Sequence, residues 1–234
     1  MSEQAPQDPD DRLGVGDWEV REEEEVEFLG NKWSLLPSVY PMARVRSSRF
    51  FWERLKGMGP VDSFLEMGCG SGAASVLALK AGMCRKATAV DINPVAVKNT
   101  LLNAKRHGVG SELRAVESDL YDSLEKGERY DLIFWNSPGV FIEDDAVLSA
   151  HERSIFDPGY ATHTRYFTQA SDYLSESGRL MLGFCGMGNL QLLEQKASAA
   201  GLSMEILAED GEGSHPHWLL EFRSDKSAAY PVSS

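Results

Sequence analysis

The chain has 234 residues, and its hydrophobic share of 42% and charged share of 25% are those of an ordinary soluble globular protein. The net charge of −13 falls mostly on residues 1–27, which hold eleven acidic residues and two arginines, so the remainder carries only −4. No stripe of Lys and Arg stands out, so nucleic acid is an unfavoured partner. No apolar run is long enough to cross a bilayer, and the polar N-terminus does not resemble a secretory signal. Three widely spaced cysteines predict neither disulfides nor a metal site, so we expect a cytoplasmic protein without a metal.

The N-terminal quarter is predicted to consist of a tail and a small extension. Residues 1–17 are rich in Asp, Pro, Gln and Gly, which is typical of a disordered acidic tail. Residues 18–57 form the extension. Within it, residues 26–36 are predicted to be two short strands around a Gly-Asn turn, and residues 47–55 carry aromatic and aliphatic side chains at helical spacing.

Residues 58–223 alternate between apolar runs typical of strands and amphipathic runs typical of helices, and residues 224–234 are predicted to be a flexible tail. This alternation predicts an α/β fold with a mostly parallel, seven-stranded sheet and helices on both faces. The apolar residues of segment 140–163 show neither helical nor strand periodicity, and we expect this segment to cover a ligand-binding site at the end of the sheet. Strands are predicted at residues 61–67, 87–90, 113–116, 130–135, 180–184, 204–207 and 218–222, and helices at residues 73–81, from 94 to Gly108, 164–174 and 190–199.

A glycine-rich turn joins the first of these strands to the first helix. It contains Gly68, Gly70 and Gly72 at alternate positions, with Glu66 two residues ahead of the first glycine. Glycines between a strand and a helix let a ligand approach the backbone closely. A carboxylate at Glu66 would repel phosphate but suits a ligand with ammonium and sulfonium charges, which indicates S-adenosylmethionine rather than a dinucleotide.

Polar residues fall at or just past the ends of four successive predicted strands: Glu66, Asp91, Asp119 and Asn136. Ligands of parallel sheets bind beyond the carboxyl ends of the strands, so we expect these side chains to share one cleft. Asp91 can accept hydrogen bonds from the two hydroxyls of a ribose. Asp119 can accept from an adenine amino group, with the amide of Leu120 facing a ring nitrogen.

Together these motifs resemble the class I S-adenosylmethionine-dependent methyltransferases, which have a Rossmann-like fold. The resemblance rests on Glu66-Met-Gly-Cys-Gly-Ser-Gly, Asp91-Ile-Asn-Pro, Asp119-Leu120 and the Asn136 loop, and it covers roughly residues 26–222. It implies S-adenosyl-L-methionine as cofactor and S-adenosyl-L-homocysteine as product. The residues it implies for cofactor binding are Glu66, Gly68, Gly70, Gly72, Asp91, Ile92, Asp119, Leu120 and Asn136.

Within that class the chain is similar to the release-factor glutamine methyltransferases and related small-domain N-methyltransferases. Their acceptor loop is Asn-Pro-Pro-Tyr or Asp-Pro-Pro-Tyr, in which the Asn oxygen and the next backbone carbonyl accept hydrogens from the target amino group. The resemblance implies Asn136, Ser137 and Pro138 as the catalytic loop. Ser137 replaces the first Pro, and Gly139 replaces the aromatic residue that stacks on a flat acceptor.

The loss of that aromatic residue favours a small-molecule nitrogen acceptor over a purine base or a glutamine side chain. Phe141, Trp135 or Tyr160 could replace the stacking platform, and His151 and His163 are candidates for acid–base work. The predicted substrate contacts are Tyr40, Phe141, His151, Tyr160 and His163.

Two other functions stay open on the sequence. One is a methyltransferase that acts on a protein side chain, of the glutamine type. The other is a non-catalytic cofactor-binding subunit of a partner enzyme, suggested by the altered loop and the acidic leader. The acceptor, the methylated atom and the oligomeric state do not follow from the sequence.

Overall fold

The structure is a computed structural model that describes residues 19–142, 148–149, 152–211 and 215–224. The predicted acidic tail, the C-terminal tail beyond residue 224 and His151 lie outside the described residues. No helix in the described ranges is both long and apolar enough to cross a membrane.

The extension begins with an antiparallel hairpin and continues into a helix, as the sequence predicts, but the turn lies one residue earlier than the predicted Gly-Asn turn, because Asn31 already pairs with Phe28. The turn of the hairpin consists of Leu29 and Gly30, whose φ angles of 52° and 70° are those of the turn favoured in two-residue hairpins. Trp33 is fully buried, and its indole nitrogen donates to the carbonyl oxygen of Phe28 over 3.1 Å. The elements are β1 (Glu24–Phe28), β2 (Asn31–Leu35), a 3-10 turn (Met42–Arg44) and helix α1 (Arg46–Leu55).

A seven-stranded sheet forms the centre of the molecule and confirms the predicted Rossmann-like fold. Its strands are β3 (Val61–Met67), β4 (Cys84–Asp91), β5 (Leu113–Glu117), β6 (Tyr130–Asn136), β9 (Leu174–Cys185), β10 (Leu202–Asp210) and β11 (His217–Ser224). Their order across the sheet is β10-β11-β9-β6-β3-β4-β5. The five strands from β9 to β5 are parallel, and β11 pairs antiparallel with both β9 and β10. The order therefore changes direction at β3 and β6, where such sheets bind ligands.

Helices connect these strands and pack on the sheet. They are α2 (Ala73–Lys80), α3 (Pro94–Arg106), α4 (Ala161–Gln169) and α5 (Leu190–Ala199). Helix α3 begins as its sequence predicts, because the Asn93 side chain accepts from the Val95 amide over 3.0 Å and Pro94 occupies the first turn.

The segment after β6 is more regular than its sequence pattern suggests. Strand β7 (Val140–Ile142) pairs in parallel with β8 (Phe156–Pro158). Helix α4 begins at Ala161, three residues before the predicted start. The physical reason is Asp157, whose carboxylate accepts from the amides of Thr162 and His163 and so satisfies the free N–H groups of the first turn.

The extension and the sheet share one hydrophobic core. Phe28, Trp33, Phe51 and Leu55 belong to the same buried cluster as residues of β3, α2 and β4. The domain boundary between residues 57 and 58 remains a prediction.

Two buried asparagines of α3 also attach the hairpin by hydrogen bonds. Asn99 accepts from the Leu36 amide over 2.8 Å, and Asn103 accepts from the Ser34 amide over 2.9 Å. Asn103 in addition donates to the carbonyl of Ser71 in the glycine turn over 2.9 Å. The hairpin, the helix and the glycine turn are thus joined through one side chain.

Candidate active site

The ends of β3, β4, β5 and β6 open into one cleft with a cavity volume of about 210 Å³. All four strand-end residues of the sequence analysis line it, as does Tyr40. The other predicted site residues in its wall are Gly68, Gly70, Ile92, Leu120, Ser137 and Pro138. Gly72 is not part of the wall; it packs instead on α3, where a Cβ would lie 2.6 Å from Thr100 Cγ2.

The glycine turn is held from both sides. Gly68, Gly70 and Gly72 have φ angles of 58°, 53° and 75°, a backbone region that favours glycine. Asp91 Oδ2 accepts from the Gly70 amide over 2.9 Å, and the Thr100 hydroxyl donates to the Gly70 carbonyl over 3.2 Å. The turn is therefore fixed in shape without a ligand.

Glu66 is buried at the base of the cleft, with 7% of its surface exposed. Its Oε2 atom accepts from the Ser75 amide at the start of α2 over 2.8 Å. The pKa of Glu66 is raised to about 7, mainly by burial and to a smaller extent by nearby Asp91, while hydrogen bonds from Ser75 and Ala74 oppose the shift. A cationic ligand in the cleft would favour the ionised form of this carboxyl.

Asp91 lies at the end of β4 with both carboxylate oxygens already in use. Oδ1 accepts from the Asn93 amide and Oδ2 from the Gly70 amide, each over 2.9 Å. Burial raises the pKa of Asp91, and these two hydrogen bonds oppose that shift. An ionised carboxylate has about four acceptor sites, so roughly two remain for the hydroxyls of a ribose.

Asp119 and Leu120 follow β5 in a tight turn. Ser118 shapes this turn, because its hydroxyl donates to the Leu120 carbonyl over 2.7 Å, and Leu120 takes a φ of 54° that is unusual for a branched residue. Asp119 Oδ2 accepts from Arg165 Nη1 of α4 over 2.7 Å, and Arg165 also pairs with Asp122. No pattern in the sequence indicated the role of this arginine.

The loop after β6 forms another part of the cleft wall. The Asn136 side chain makes no hydrogen bond to any residue that the structure describes, while Ser137 donates to the Gly183 carbonyl through both its amide and its hydroxyl, each over 3.0 Å. Gly139 has no room for a side chain, since a Cβ there would lie 2.9 Å from Cys185 Cβ. A side chain at position 139 would therefore require Cys185 or the loop to shift.

Three of the predicted substrate contacts do not lie in the cleft wall. Tyr160 is fully buried, donates to the Gly139 carbonyl and accepts from the Asn189 amide, which makes it a packing residue. His163 is fully buried, and its Nδ1 lies 2.6 Å from Asp157 Oδ2. Phe141 is 38% exposed and packs edge-on against Tyr160. Of the three aromatic residues that the sequence analysis considered for stacking on an acceptor, Trp135 lines the cleft.

These residues suit S-adenosylmethionine. The fixed glycine turn offers backbone to the amino-acid end, Asp91 has acceptor capacity for a ribose, and Asp119 with Leu120 offers an acceptor and an amide for a purine edge. No group of three or more His, Cys, Asp or Glu able to hold a metal occurs among the described residues. The fold and this cleft define the chain as a class I S-adenosylmethionine-dependent methyltransferase.

Comparison with known proteins gives the family. The sequence profile of the methyltransferase small domain family matches residues 33–195, and the chain belongs to this family. A Methanocaldococcus jannaschii protein that carries the provisional name protein N5-glutamine methyltransferase is 28% identical over 186 residues, which are 78% of this chain and 90% of that protein.

Two further matches cover less of the other protein. The release factor glutamine methyltransferase of Streptococcus pneumoniae is 30% identical over 128 residues, 51% of this chain and 44% of that enzyme. Among solved structures, the 16S rRNA N2 G1207 methyltransferase of T. thermophilus, in complex with AdoMet and guanosine, has a TM-score of 0.60 at 19% identity, over 86% of this chain and 50% of that one. At that identity the likeness shows the shared fold.

Proposed function

We propose that the chain transfers a methyl group from S-adenosylmethionine to the amide nitrogen of a protein side chain, of the glutamine type. The observation that carries the proposal is Asn136, an amide at the carboxyl end of β6 that lines the cleft and has no partner among the described residues. Two matched relatives are named as glutamine methyltransferases, which supports the same acceptor class.

Asn136 would hold the acceptor by accepting hydrogens from its nitrogen, which turns the nitrogen lone pair towards the methyl carbon. Positioning of this kind is the main contribution of a protein to such a transfer, with the reacting atoms about 3–3.5 Å apart. When bound, the cofactor would supply the electrophilic methyl group. A nitrogen–carbon bond would form, the carbon–sulfur bond would break with its electron pair left on sulfur, and the nitrogen proton would pass to water. Ser137, fixed to the Gly183 carbonyl, would keep the loop in register with β9.

The small-molecule acceptor favoured by the sequence has no support among these relatives. A small-molecule acceptor was inferred from the missing aromatic residue at position 139. The structure provides a local steric reason for the glycine at that position. Trp135, which lines the cleft beside Gly68, is available as an aromatic wall. A protein carboxamide is therefore the acceptor that we propose.

The test is incubation of the purified chain with methyl-labelled cofactor and a lysate of its own source. We expect label in a protein band, with methylglutamine after digestion. The Asn136→Ala variant should lose about 10²-fold in transfer, because a misplaced acceptor reacts slowly, while its cofactor affinity in isothermal titration stays unchanged. Ser198→Ala, at an exposed position on α5, is the matched control.

Other results would contradict the proposal in distinct ways. Label confined to small metabolites would restore the small-molecule acceptor. No turnover despite tight cofactor binding would favour the non-catalytic subunit considered in the sequence analysis.

A further inference from the structure

A second, smaller cavity adjoins the main cleft on its acceptor side. Its volume is about 40 Å³, and it shares Tyr40, Phe51, Asn136, Ser137 and Ser154 with the main cleft. The residues that line it alone are Ser47, Gly139, Val140, Ile155, Cys185, Met187 and His217.

The position of this cavity follows from the strand order. Cys185 ends β9 and His217 begins β11, and these two residues pair directly across the sheet. The small cavity therefore lies over β6, β9 and β11, whereas the glycine turn, Asp91 and Asp119 lie over β3, β4 and β5. Asn136, at the end of β6, stands between the two halves and lines both cavities.

The wall of the small cavity carries no Asp, Glu, Lys or Arg among the residues that the structure describes. Charged groups do lie behind His217: Arg46 Nη2 is 3.4 Å from His217 Nδ1, and Arg46 forms a salt bridge of 3.0 Å with Asp210. A charged group placed in the cavity would lose its water without an opposite charge in the wall, which is costly.

Two polar side chains in this wall lack partners. Ser47 lies in the first turn of α1 with 6% of its surface exposed, and its hydroxyl makes no hydrogen bond within the described part of the chain. The Asn136 amide is only partly buried, and it too makes no hydrogen bond to a described residue. Both groups line the cavity, so a polar ligand placed there can bond to an amide and a hydroxyl at once.

The size of the cavity limits what can enter. A water molecule needs about 10–15 Å³ of such volume, so the cavity holds roughly three atoms of that size. A primary carboxamide has one carbon, one oxygen and one nitrogen, whereas a purine has two fused rings. The cavity therefore fits the head group of an amide side chain and excludes a nucleobase.

We propose that this cavity receives the neutral carboxamide head of the acceptor, with Asn136 and Ser47 as its polar contacts. The inference deepens the proposed function and rests on it. It makes Ser47 a residue that selects the acceptor: the hydroxyl recognises the amide, and the uncharged wall rejects carboxylates and amines of the same shape.

The first experiment is independent of turnover. The intact chain, saturated with S-adenosylhomocysteine, is titrated with propionamide, propionate and propylammonium by ligand-observed NMR. We expect saturable binding of propionamide only, lost in Ser47→Leu, whose larger side chain fills the cavity, and kept in Ser198→Leu on the exposed face of α5. Equal binding of the charged probes, or propionamide binding that survives Ser47→Leu, would overturn the inference.

The second experiment follows methyl transfer to the labelled protein band. Ser47→Leu should reduce transfer at least about tenfold and Ser47→Ala about threefold, each with unchanged affinity for S-adenosylhomocysteine. Should Ser47→Leu fail to fold, the Ala variant and the three probes decide the matter.

The two proposals fail in different ways. If the lysate assay yields no labelled protein while propionamide still binds selectively, the proposed function fails. If protein is labelled equally by wild type and both Ser47 variants, only the cavity assignment fails.

Discussion

The two halves of the cleft differ in how the protein holds the side chains to which we assign binding. Over β3, β4 and β5, Glu66 and Asp91 accept from backbone amides and Asp119 pairs with Arg165. Over β6, β9 and β11, the Asn136 and Ser47 side chains have no hydrogen bond within the described ranges.

This difference separates two tasks. A half that is fixed before binding loses little conformational freedom when it takes a large ligand, which suits the cofactor. A half with open hydrogen-bonding groups discriminates between ligands, because a ligand that displaces water from these groups must replace the lost hydrogen bonds. Substitutions in the first half should change cofactor affinity, and those in the second should change transfer alone.

The largest effect is expected for Asp91→Ala. The change removes the carboxylate that we expect to accept from the ribose, and with it the anchor of the Gly70 amide. Hydrogen bonds to charged groups contribute about 1.5–3 kcal/mol each, so cofactor affinity should fall about 100-fold or more, against no change for Asn136→Ala. Isothermal titration measures both. Equal losses of cofactor affinity in the two variants would show that the two halves of the cleft do not have separate tasks.

The next effect concerns pH and Glu66. In the folded chain, the pKa of the Glu66 carboxyl group is raised, mainly by burial, to about 7 from the ordinary value of 4.5. The folded state thus holds this proton more tightly than the unfolded state, and stability falls as pH rises from about 4.5 to about 7. One pKa unit corresponds to about 1.4 kcal/mol, so the fall amounts to about 3 kcal/mol.

Glu66→Gln should remove that fall, because the amide cannot ionise and can still accept from the Ser75 amide. Urea unfolding of the cofactor-free chain at about pH 5 and pH 8 compares the variant with the wild type. A variant with the same loss of stability between these pH values would show that Glu66 ionises freely.

The smallest effect is expected for Arg165→Ala. Arg165 orients Asp119, but the two side chains are 38% and 43% exposed, and pairs of this kind contribute at most about 1 kcal/mol. Cofactor affinity should fall about two- to fivefold. Arg85→Ala, which breaks an exposed pair with Asp62, is the control and should leave affinity unchanged. An equal effect of both variants would mean that Asp119 needs no support.

The sequence predicted the strand and helix pattern well where local signals were strong. Strand β3 and helix α5 have the predicted ends, because each is an apolar run between turn-forming residues. The four strand-end residues share a cleft, as their positions in parallel strands implied. The pairing of β7 with β8 was not seen, since three-residue strands have too few positions to show a period.

Other features of the site depend on contacts between distant segments. Arg165 bonds to Asp119, which lies 46 residues away in the sequence. Ser47 and Asn136 line the same cavity only because α1 packs near the end of β6. Tyr160 and His163 looked like substrate contacts because they are polar aromatic residues in a covering segment. Their burial depends on neighbours from β9 and the loop after it, which no pattern in the sequence shows.

The contact between Gly139 and Cys185 has an evolutionary consequence. A side chain fits at position 139 only if residue 185 loses its own Cβ or the two segments move apart. Single substitutions along that route meet a clash first. The two positions should therefore change together in descendants of this chain, and a glycine at one should predict a side chain at the other.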